Sequence, residues 1–360
     1  MKQEDMNIWV PVGMSLLGRV IDADGKPCDG GPEIIPEEYY PLEVAPPDAS
    51  TRLPINRRFL TGVRAIDSMS TMGKGQKMGI YTGPGTGKFS LLAMIARNNN
   101  ADINVIGLFG ERAREAWYFI KRDLGEEALK RSVIVVASND QPAALRIRAA
   151  YVCTAIAEYF RDKRMDVALI MNSVSRFAFI QREVALAKGE SLAQNGYPLS
   201  VFEMIPNLIF RSGTNDKGTI TAFYTAHTSL NDDIDTPIIN KMNGCLDGHI
   251  VLSRKLAYAG HYPTIDILAS KNRVSKMVTG KQIQKAVKLI RTLMENYTEK
   301  GNSPEFDLAI EKHSEIEQFL QQEEQEKSSM TETLNKLSKI TGIEIPQEEY
   351  AESPGEDIIK

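Results

Sequence analysis

The stretch that decides the fold is MGIYTGPGTGKFSLLAMIA, residues 78–96. An apolar run leads into a glycine-rich segment, and apolar residues at helical spacing follow Lys88. This order predicts a strand, a glycine turn and a helix, which is the setting of a phosphate-binding loop. The alternative is a glycine-rich turn that is needed only for tight packing. Such a turn would require neither Lys88 nor a strand before it and a helix after it.

The chemistry of this loop is that of anion binding. Glycines leave backbone N–H groups free to converge on phosphate oxygens, and the helix N terminus adds a partial positive charge. Lys88 is placed to reach the terminal phosphates. The residues predicted to bind nucleotide are Gly83, Pro84, Gly85, Thr86, Gly87, Lys88, Phe89 and Ser90.

The position after Lys88 departs from the usual pattern G-x-x-x-x-G-K-[ST]. Its hydroxyl normally ligates Mg²⁺, but here the residue is Phe89. Ser90 stands one place later, about 100° further around the helix axis, so a simple shift does not restore the ligand. The loop is therefore predicted to cradle phosphate without one of its metal ligands.

A second metal position is altered as well. The buried run DVALIMNS, residues 166–173, ends in Asn172 where a carboxylate is expected. Asparagine keeps one acceptor oxygen but loses the charge. Asn172 alone could be an ordinary strand-end residue; together with Phe89 it predicts a degenerate metal site. A nucleotide is thus the predicted ligand, and the sequence leaves the need for Mg²⁺ open.

The composition and charge of the chain exclude several classes of protein. The chain has 360 residues, 42% hydrophobic and 25% charged, which is typical of globular proteins. A net charge of −4 argues against nucleic-acid binding. Three widely spaced cysteines indicate neither a disulfide framework nor a C-x-x-C metal site. With no signal-peptide pattern and no apolar run near the ~20 residues of a membrane span, we expect a cytoplasmic protein.

Strand and helix patterns alternate along most of the chain. Continuous apolar runs such as 103–110 and 131–138 are typical of buried parallel strands, and 143–162 reads as a long helix. The predicted fold class is therefore α/β, a mostly parallel sheet covered by helices on both faces. The predicted organisation is short strands in 1–31, a Pro-rich connector in 32–54, a nucleotide-binding domain in 55–278, a helical domain in 279–340 and an acidic flexible tail in 341–360.

Four longer motifs make the chain resemble a known family. They are GLFGERAREAWYFI (107–120), SVSRFAFIQREVALAKGES (173–191), GYPLSVFEMIPNLIFRSG (196–213) and FDLAIEKHSEIEQFLQQ (306–322). With them the chain resembles the catalytic ATPases of type III secretion and flagellar protein export, relatives of the rotary ATP synthase catalytic subunit. The resemblance implies a RecA-like P-loop core, a C-terminal helical domain and, in residues 1–31, the remnant of an N-terminal β-barrel. Either this sequence is trimmed or the protein lacks most of that barrel.

The resemblance also implies roles for single residues. Glu111 matches the general base that orients the attacking water, and a carboxylate just past a buried strand suits that role. Arg112 and Arg176 match arginines near the terminal phosphate, and Arg273 matches the arginine finger that reaches across a subunit interface. Tyr262 matches the residue that stacks on adenine, although such a tyrosine alone is more often part of a core. With Lys88, the four charged residues form the predicted catalytic set.

Departures from the family pattern keep two functions open. Phe89 and Asn172 fall at the metal-ligand positions, and Asn240 and Asn243 fall where Asp and Arg are expected. The first function is an ATPase that couples ATP hydrolysis between subunits to protein export, weakened by the lost metal ligands. The alternative is a non-catalytic nucleotide-binding or scaffold protein of the same ring. A ring-shaped nucleic-acid motor would need a basic or aromatic binding module, which the sequence lacks.

Partners are implied by the resemblance alone. They are further copies of the chain in a hexameric ring, a central coiled-coil stalk protein, a stator protein and export chaperone–substrate complexes. Peripheral contact with the cytoplasmic face of the inner membrane is also implied.

Overall fold

The strand, loop and helix predicted around residues 78–96 are present in the computed structural model. The strand is Lys77–Thr82, and the helix begins at Lys88 and ends at Asn98. The structure describes residues 8–193, 196–228, 236–299 and 304–352, without the side chains of 299, 304 and 305.

Thirteen strands and thirteen α-helices occur within these ranges. The strands are β1 (Trp9–Val12), β2 (Val20–Ile21), β3 (Glu38–Pro41), β4 (Arg58–Phe59), β5 (Met72–Gly73), β6 (Lys77–Thr82), β7 (Ile103–Phe109), β8 (Ser132–Ala137), β9 (Asp166–Asn172), β10 (Gly213–Thr214), β11 (Thr219–His227), β12 (Gly248–Leu252) and β13 (Ile265–Asn272). The helices are α1 (Arg64–Met69), α2 (Lys88–Asn98), α3 (Ala113–Tyr118), α4 (Gly125–Lys130), α5 (Ala143–Asp162), α6 (Val174–Ala187), α7 (Leu199–Ile209), α8 (Pro237–Asn243), α9 (Arg254–Tyr258), α10 (Ser275–Val278), α11 (Lys281–Glu299), α12 (Pro304–Leu320) and α13 (Met330–Thr341).

The chain divides into two compact units. The first comprises Met1–Pro54, Gly75–Thr82 and Ala101–Asp247. The second comprises Ile55–Lys74, Gly83–Asn100 and Gly248–Lys360. The predicted domains are continuous stretches of sequence, whereas each unit combines several separate stretches. The predicted boundaries therefore stay a prediction.

The first unit contains a parallel sheet. Its strands lie in the order β6, β11, β9, β7, β8, β2, and each neighbouring pair is parallel. Every residue of β7 is buried. Since successive side chains of a strand point to opposite faces, both faces of the sheet are covered at this strand. The α/β prediction with a mostly parallel sheet is thereby confirmed.

Helices of the first unit hold the carboxyl end of this sheet in place. Helix α5, predicted over the same residues, packs against β7, β8 and β9, and α6 packs against α5 and β11. The turn between β7 and α3 begins at Gly110, whose φ of +75° is a conformation that favours glycine. This turn sends the chain sharply away from the sheet directly before Glu111.

The second unit contains two antiparallel strand pairs, β4 with β5 and β12 with β13. The antiparallel pairing of β12 with β13 departs from the parallel pairing that the sequence analysis predicted for most of the sheet. Helix α9 between them has only five residues, which is too short to carry the chain back along the sheet as a parallel crossover requires. Helices α11, α12 and α13 pack on one another.

Part of the segment predicted as an acidic tail is packed in this unit. Gln347–Tyr350 form a 3-10 turn, and Glu349 is buried. Its carboxylate accepts hydrogen bonds from the backbone N–H groups of Gln282 and Ile283, both at 3.0 Å, in the first turn of α11. Residues 353–360 lie outside the described ranges.

Candidate nucleotide-binding site

The glycine loop lies in the second unit and its backbone shape is held by hydrogen bonds. Gly85 and Gly87 both have φ of +77°, a conformation in which residues other than glycine are strained. The Thr86 hydroxyl donates to the Gly83 carbonyl at 3.0 Å, and the Thr264 hydroxyl donates to the Thr86 carbonyl at 2.6 Å. The loop is therefore pre-shaped for an anion at the N terminus of α2.

A cavity of about 660 Å³ opens beside the loop, a size typical of sites for small molecules. Its wall combines loop residues with Tyr262, Pro263, Thr264 and the segment of residues 321–324 and 326. Tyr262 is 46% exposed. A Cβ atom on Gly87 would lie 3.4 Å from its ring. The absence of a side chain at position 87 thus leaves the tyrosine beside the loop, which supports its predicted contact with the base.

Hydrogen bonds at Tyr262 and at its neighbour His261 hold this part of the cavity wall in position. Its carbonyl accepts a hydrogen bond from the Gln322 backbone N–H at 2.9 Å. The neighbouring His261 places its Nδ1 atom 2.7 Å from Oε2 of Glu317 in α12. This hydrogen bond from His261 lowers the pKa of the Glu317 carboxyl. Helix α12 therefore takes part in positioning the aromatic wall of the cavity.

Phe89 presents a ring, not a hydroxyl, next to Lys88. The Lys88 Nζ lies 4.8 Å from the centroid of the Phe89 ring, a cation–π distance. Ser90, one position later, lines the cavity with the loop glycines. The loop thus keeps its backbone cradle and its lysine, but the residue after the lysine offers no oxygen.

The other predicted residues gather in the first unit at the carboxyl ends of β7 and β9. Glu111 is 2% exposed and Asn172 is fully buried. Asn172 Nδ2 donates to Glu111 Oε1 at 3.1 Å, and Arg176 lies with a terminal guanidinium nitrogen 3.1 Å from Glu111 Oε2. A second guanidinium nitrogen of Arg176 donates to the Gly110 carbonyl at 2.5 Å. We refer to Glu111, Asn172 and Arg176 as the glutamate cluster.

The parallel sheet brings this cluster together. Leu108 of β7 is opposite Asn172 of β9, so Glu111 follows directly at the same edge of the sheet. Ser173 caps the N terminus of α6 by accepting from the Arg176 backbone N–H at 3.3 Å, which sets Arg176 in the first turn. Ligand-binding residues of such sheets commonly lie at this edge.

The amide of Asn172 makes a hydrogen bond through each of its two polar atoms. Its Oδ1 accepts a hydrogen bond from the Thr225 hydroxyl at 2.8 Å, while its Nδ2 donates to Glu111. Thr225 was missed by the sequence analysis. The signal that could have indicated it is its position near the carboxyl end of a strand that pairs with β9. An amide held in this way brings no negative charge to the position, whereas a carboxylate would.

The residues present fit phosphate but not magnesium. Backbone donors, two left-handed glycines and Lys88 suit a polyphosphate. At the two metal positions stand the Phe89 ring and the engaged amide of Asn172. In the described part of the chain, no three His, Cys, Asp or Glu side chains come together in a way that could hold a metal ion.

Two other predicted residues, Arg112 and Arg273, are exposed. Arg112 is exposed, with one guanidinium nitrogen 3.6 Å from Glu115. Arg273 follows β13 and is exposed. Asn243 accepts a hydrogen bond from the Tyr81 hydroxyl at 2.6 Å. The predicted site residues are thus divided between the two units, with Lys88, Tyr262 and Arg273 in the second and the glutamate cluster and Arg112 in the first.

Comparison with known proteins settles the family. Residues 62–272 match the ATP synthase alpha/beta family, nucleotide-binding domain, and residues 279–339 match the T3SS EscN ATPase C-terminal domain. The flagellum-specific ATP synthase of Treponema pallidum is 46% identical over 359 residues, which cover 96% of this chain and 79% of that protein. The chain belongs to the flagellar and type III secretion ATPases. The family resemblance drawn from the sequence is confirmed.

Two further relatives agree with this membership. The SPI-2 type 3 secretion system ATPase of Salmonella typhimurium is 43% identical over 344 residues, 92% of this chain and 78% of its own length. The structure of the assembled ATPase EscN in complex with its central stalk EscO, from enteropathogenic E. coli, superposes with a TM-score of 0.87 at 39% identity. That alignment covers 93% of this chain and 83% of EscN. This export ATPase therefore shares the RecA-like core and the C-terminal helical domain of its family.

Proposed function

We propose that this export ATPase chain is the nucleotide-binding subunit of a ring, and that its ATP hydrolysis is strongly reduced. The observation that carries the proposal is the hydrogen bond from Asn172 to Glu111 at 3.1 Å. An aspartate in place of Asn172 could not make this bond. The position that supplies metal charge in relatives supplies a hydrogen-bond donor here.

We assign nucleotide binding to groups that the fold already holds in position. The loop N–H groups from Gly85 to Lys88 and the Lys88 ammonium would hold the phosphates. Tyr262, 46% exposed on the cavity wall, would contact the base. These contacts do not require the residue after Lys88 to carry an oxygen, so Phe89 leaves nucleotide binding in place.

Hydrolysis is assigned to the glutamate cluster and is weakened there. A general base takes the proton of the attacking water. Each Glu111 oxygen lies beside one donor, Asn172 at 3.1 Å and Arg176 at 3.1 Å, so a water would share the carboxylate with both of them. Phosphoryl transfer depends on charge neutralisation at the transferred group, and neither Phe89 nor Asn172 contributes to it. Changes even in the outer shell of a metal cost roughly 10- to 100-fold in activity.

The ring and the stalk are carried over from relatives. EscN is described as assembled and in complex with its central stalk EscO, and we propose the same arrangement, a homo-hexamer around a coiled-coil stalk, for this chain. In such a ring the exposed Arg273 would serve the neighbouring subunit. The stator, the export chaperones and the membrane contact stay predictions. Within the described ranges no helix is both long enough and apolar enough to cross a membrane.

The test compares ATP binding and turnover, with and without Mg²⁺, in the unmodified chain and in the double variant Phe89→Ser, Asn172→Asp. We expect the unmodified chain to bind ATP almost independently of Mg²⁺, with turnover at least about 10-fold below that of the double variant. The control is Phe89→Val with Asn172→Asp, which removes the ring without adding a hydroxyl.

Two results would change the proposal. Rapid Mg²⁺-dependent turnover by the unmodified chain would contradict it. Absence of turnover in every variant, with ATP binding intact, would favour the alternative of a non-catalytic ring protein. The uncharged amide of Asn172, hydrogen-bonded to Glu111 and Thr225, is the observation that favours this alternative.

A further inference from the structure

Part of the wall of the cavity beside the glycine loop is formed by a stretch without helix or strand. Helix α12 ends at Leu320 and α13 begins at Met330, and residues 321–324 and 326 between them line the cavity. Such a stretch has no regular backbone hydrogen bonds to fix it, so its buried polar groups need other partners. We call residues 319–328 the wall segment.

Arg64, the first residue of α1, holds the wall segment through a buried side chain that is 4% exposed. One terminal guanidinium nitrogen donates to the carbonyls of Phe319 at 3.2 Å and Gln321 at 2.8 Å. The other terminal nitrogen forms an ion pair with Glu326. The Nε atom lies 3.4 Å from the Ser328 hydroxyl. One guanidinium group therefore reaches four positions of the wall segment.

Gln322 joins this network to the aromatic part of the wall. Its side-chain Oε1 accepts from the Arg64 backbone N–H at 2.7 Å. Its Nε2 donates to the carbonyls of Gly62 at 2.8 Å and Glu326 at 2.9 Å. Its own backbone N–H donates to the Tyr262 carbonyl at 2.9 Å. A shift of the wall segment would therefore also displace the tyrosine.

Arg64 acts on the cavity only through other residues, because it is not among the described residues that line it. The planar guanidinium carries five donors in a rigid fork, which suits the holding of several acceptors at once. A ligand that must first order a loop binds less tightly, whereas a wall that is already in place removes this cost. The hydrogen bonds of Arg64 are made without any ligand, so they fix the wall in advance.

We propose that Arg64 is a positioning residue for the base of the nucleotide. Its guanidinium holds the wall segment and, through Gln322, Tyr262 in place before the nucleotide binds. This inference rests on the proposed function, in which Tyr262 contacts the base and the glycine loop binds the phosphates. It divides the site into two parts: Arg64 governs the affinity for the base, and the loop governs the affinity for the phosphates.

The test compares ATP with inorganic tripolyphosphate, which has no base, by calorimetry without Mg²⁺. We expect Arg64→Met to weaken ATP binding about 10-fold or more, because binding must then order the wall segment. Binding of tripolyphosphate should stay within about twofold, since the hydrogen bond from Thr264 to Thr86 still holds the loop. Arg64→Lys keeps the charge beside Glu326 but loses the fork, so an intermediate ATP affinity is expected.

Arg291→Met is the matched control from the same unit. The Arg291 guanidinium in α11 also donates to backbone carbonyls, those of Ile267, Met69 at 3.2 Å and Ser270 at 3.4 Å. Met69 is the last residue of α1, whereas Arg64 is the first. This control removes the same kind of buried contact without touching the wall segment. It should leave the ATP affinity within about twofold.

Hydrogen exchange tests the positioning role without nucleotide. In Arg64→Met, the backbone N–H groups of the wall segment should exchange at least about 10-fold faster than in the unmodified chain, and in Arg291→Met they should not. Unchanged exchange in Arg64→Met would overturn the proposal, whether or not the chain binds ATP. Faster exchange with unchanged ATP affinity would overturn it too, because the wall segment would then have no part in binding the base.

Two further outcomes separate this proposal from the proposed function. Equal losses of ATP and tripolyphosphate affinity in Arg64→Met would show that Arg64 supports the whole fold, and would overturn this proposal alone. If the unmodified chain binds tripolyphosphate as tightly as ATP, the base has no site, and both proposals are wrong. Circular dichroism checks that each variant folds, and if Arg64→Met does not, the same comparisons are made with Arg64→Lys.

Discussion

The glycine loop and the glutamate cluster show two ways in which a site responds to substitution. In the loop, backbone conformation makes the site. Gly85 and Gly87 keep φ of +77°, although Phe89 follows Lys88 directly. In the cluster, side chains make the site, and the amide of Asn172 links Glu111 to Thr225. A site built from backbone groups keeps its shape when a neighbouring side chain is replaced. A site built from side chains changes its hydrogen bonds when one carboxylate is replaced by an amide.

The largest expected effect sharpens this comparison at the loop. Lys88→Ala should weaken ATP binding at least about 100-fold, because an ammonium makes several charge-assisted hydrogen bonds to phosphates. Stability should fall by no more than about 1 kcal/mol, since the contact with Phe89 is a partly exposed cation–π pair. Titration with a fluorescent ATP analogue and urea unfolding measure the two quantities, with the exposed Lys121→Ala as control. A large loss of stability with unchanged binding would contradict this description of the loop.

The second prediction concerns the glutamate cluster, where a substitution should reduce the stability of the fold. Asn172→Asp alone should lower the free energy of unfolding by about 2–4 kcal/mol at pH 8, because a hydrogen bond is lost and two buried carboxylates come together. Such a pair has a raised pKa, so the destabilisation is greatest above that pKa and diminishes as the pH falls and the pair takes up a proton. Urea unfolding from pH 5 to 8 in the absence of Mg²⁺ measures it.

Two controls belong to this experiment. Thr225→Val removes the other hydrogen bond of Asn172 without adding charge, so its effect should be smaller and nearly independent of pH. Equal stability of Asn172→Asp and the unmodified chain at pH 8 would show that the cluster accepts a carboxylate, and the comparison between loop and cluster would fail.

The smallest expected effect lies behind the loop cavity. The pKa of Glu317 is lowered in the folded state, chiefly by the hydrogen bond from His261. Its stabilisation is therefore present above the unfolded pKa and is lost as the pH falls through the lower, folded pKa. Glu317→Gln should cost about 1 kcal/mol at pH 7, and the difference from the unmodified chain should shrink below about pH 4. Thermal unfolding at the two pH values measures this, and a difference that grows towards low pH would contradict it.

Much of the fold could be read from local patterns. The helix at 143–162 was predicted with its bounds, and a helix was predicted to follow Lys88, because apolar periodicity acts within a few turns. The antiparallel pairing of β12 with β13 was not predicted, since strand direction depends on the path of the connection. The packed part of the acidic tail was also missed, because the partners of Glu349 are far away in the sequence, among them residues 66 and 67 positions earlier.

The sequence by itself determined the class of site. A strand, a glycine loop, a lysine and the altered residues Phe89 and Asn172 are all local facts, and local backbone geometry suffices to build a phosphate cradle from them. Only the tertiary structure decided what Asn172 does. Its partners Glu111 and Thr225 are 61 and 53 positions away, and parallel pairing of β9 with β7 and β11 brings them together.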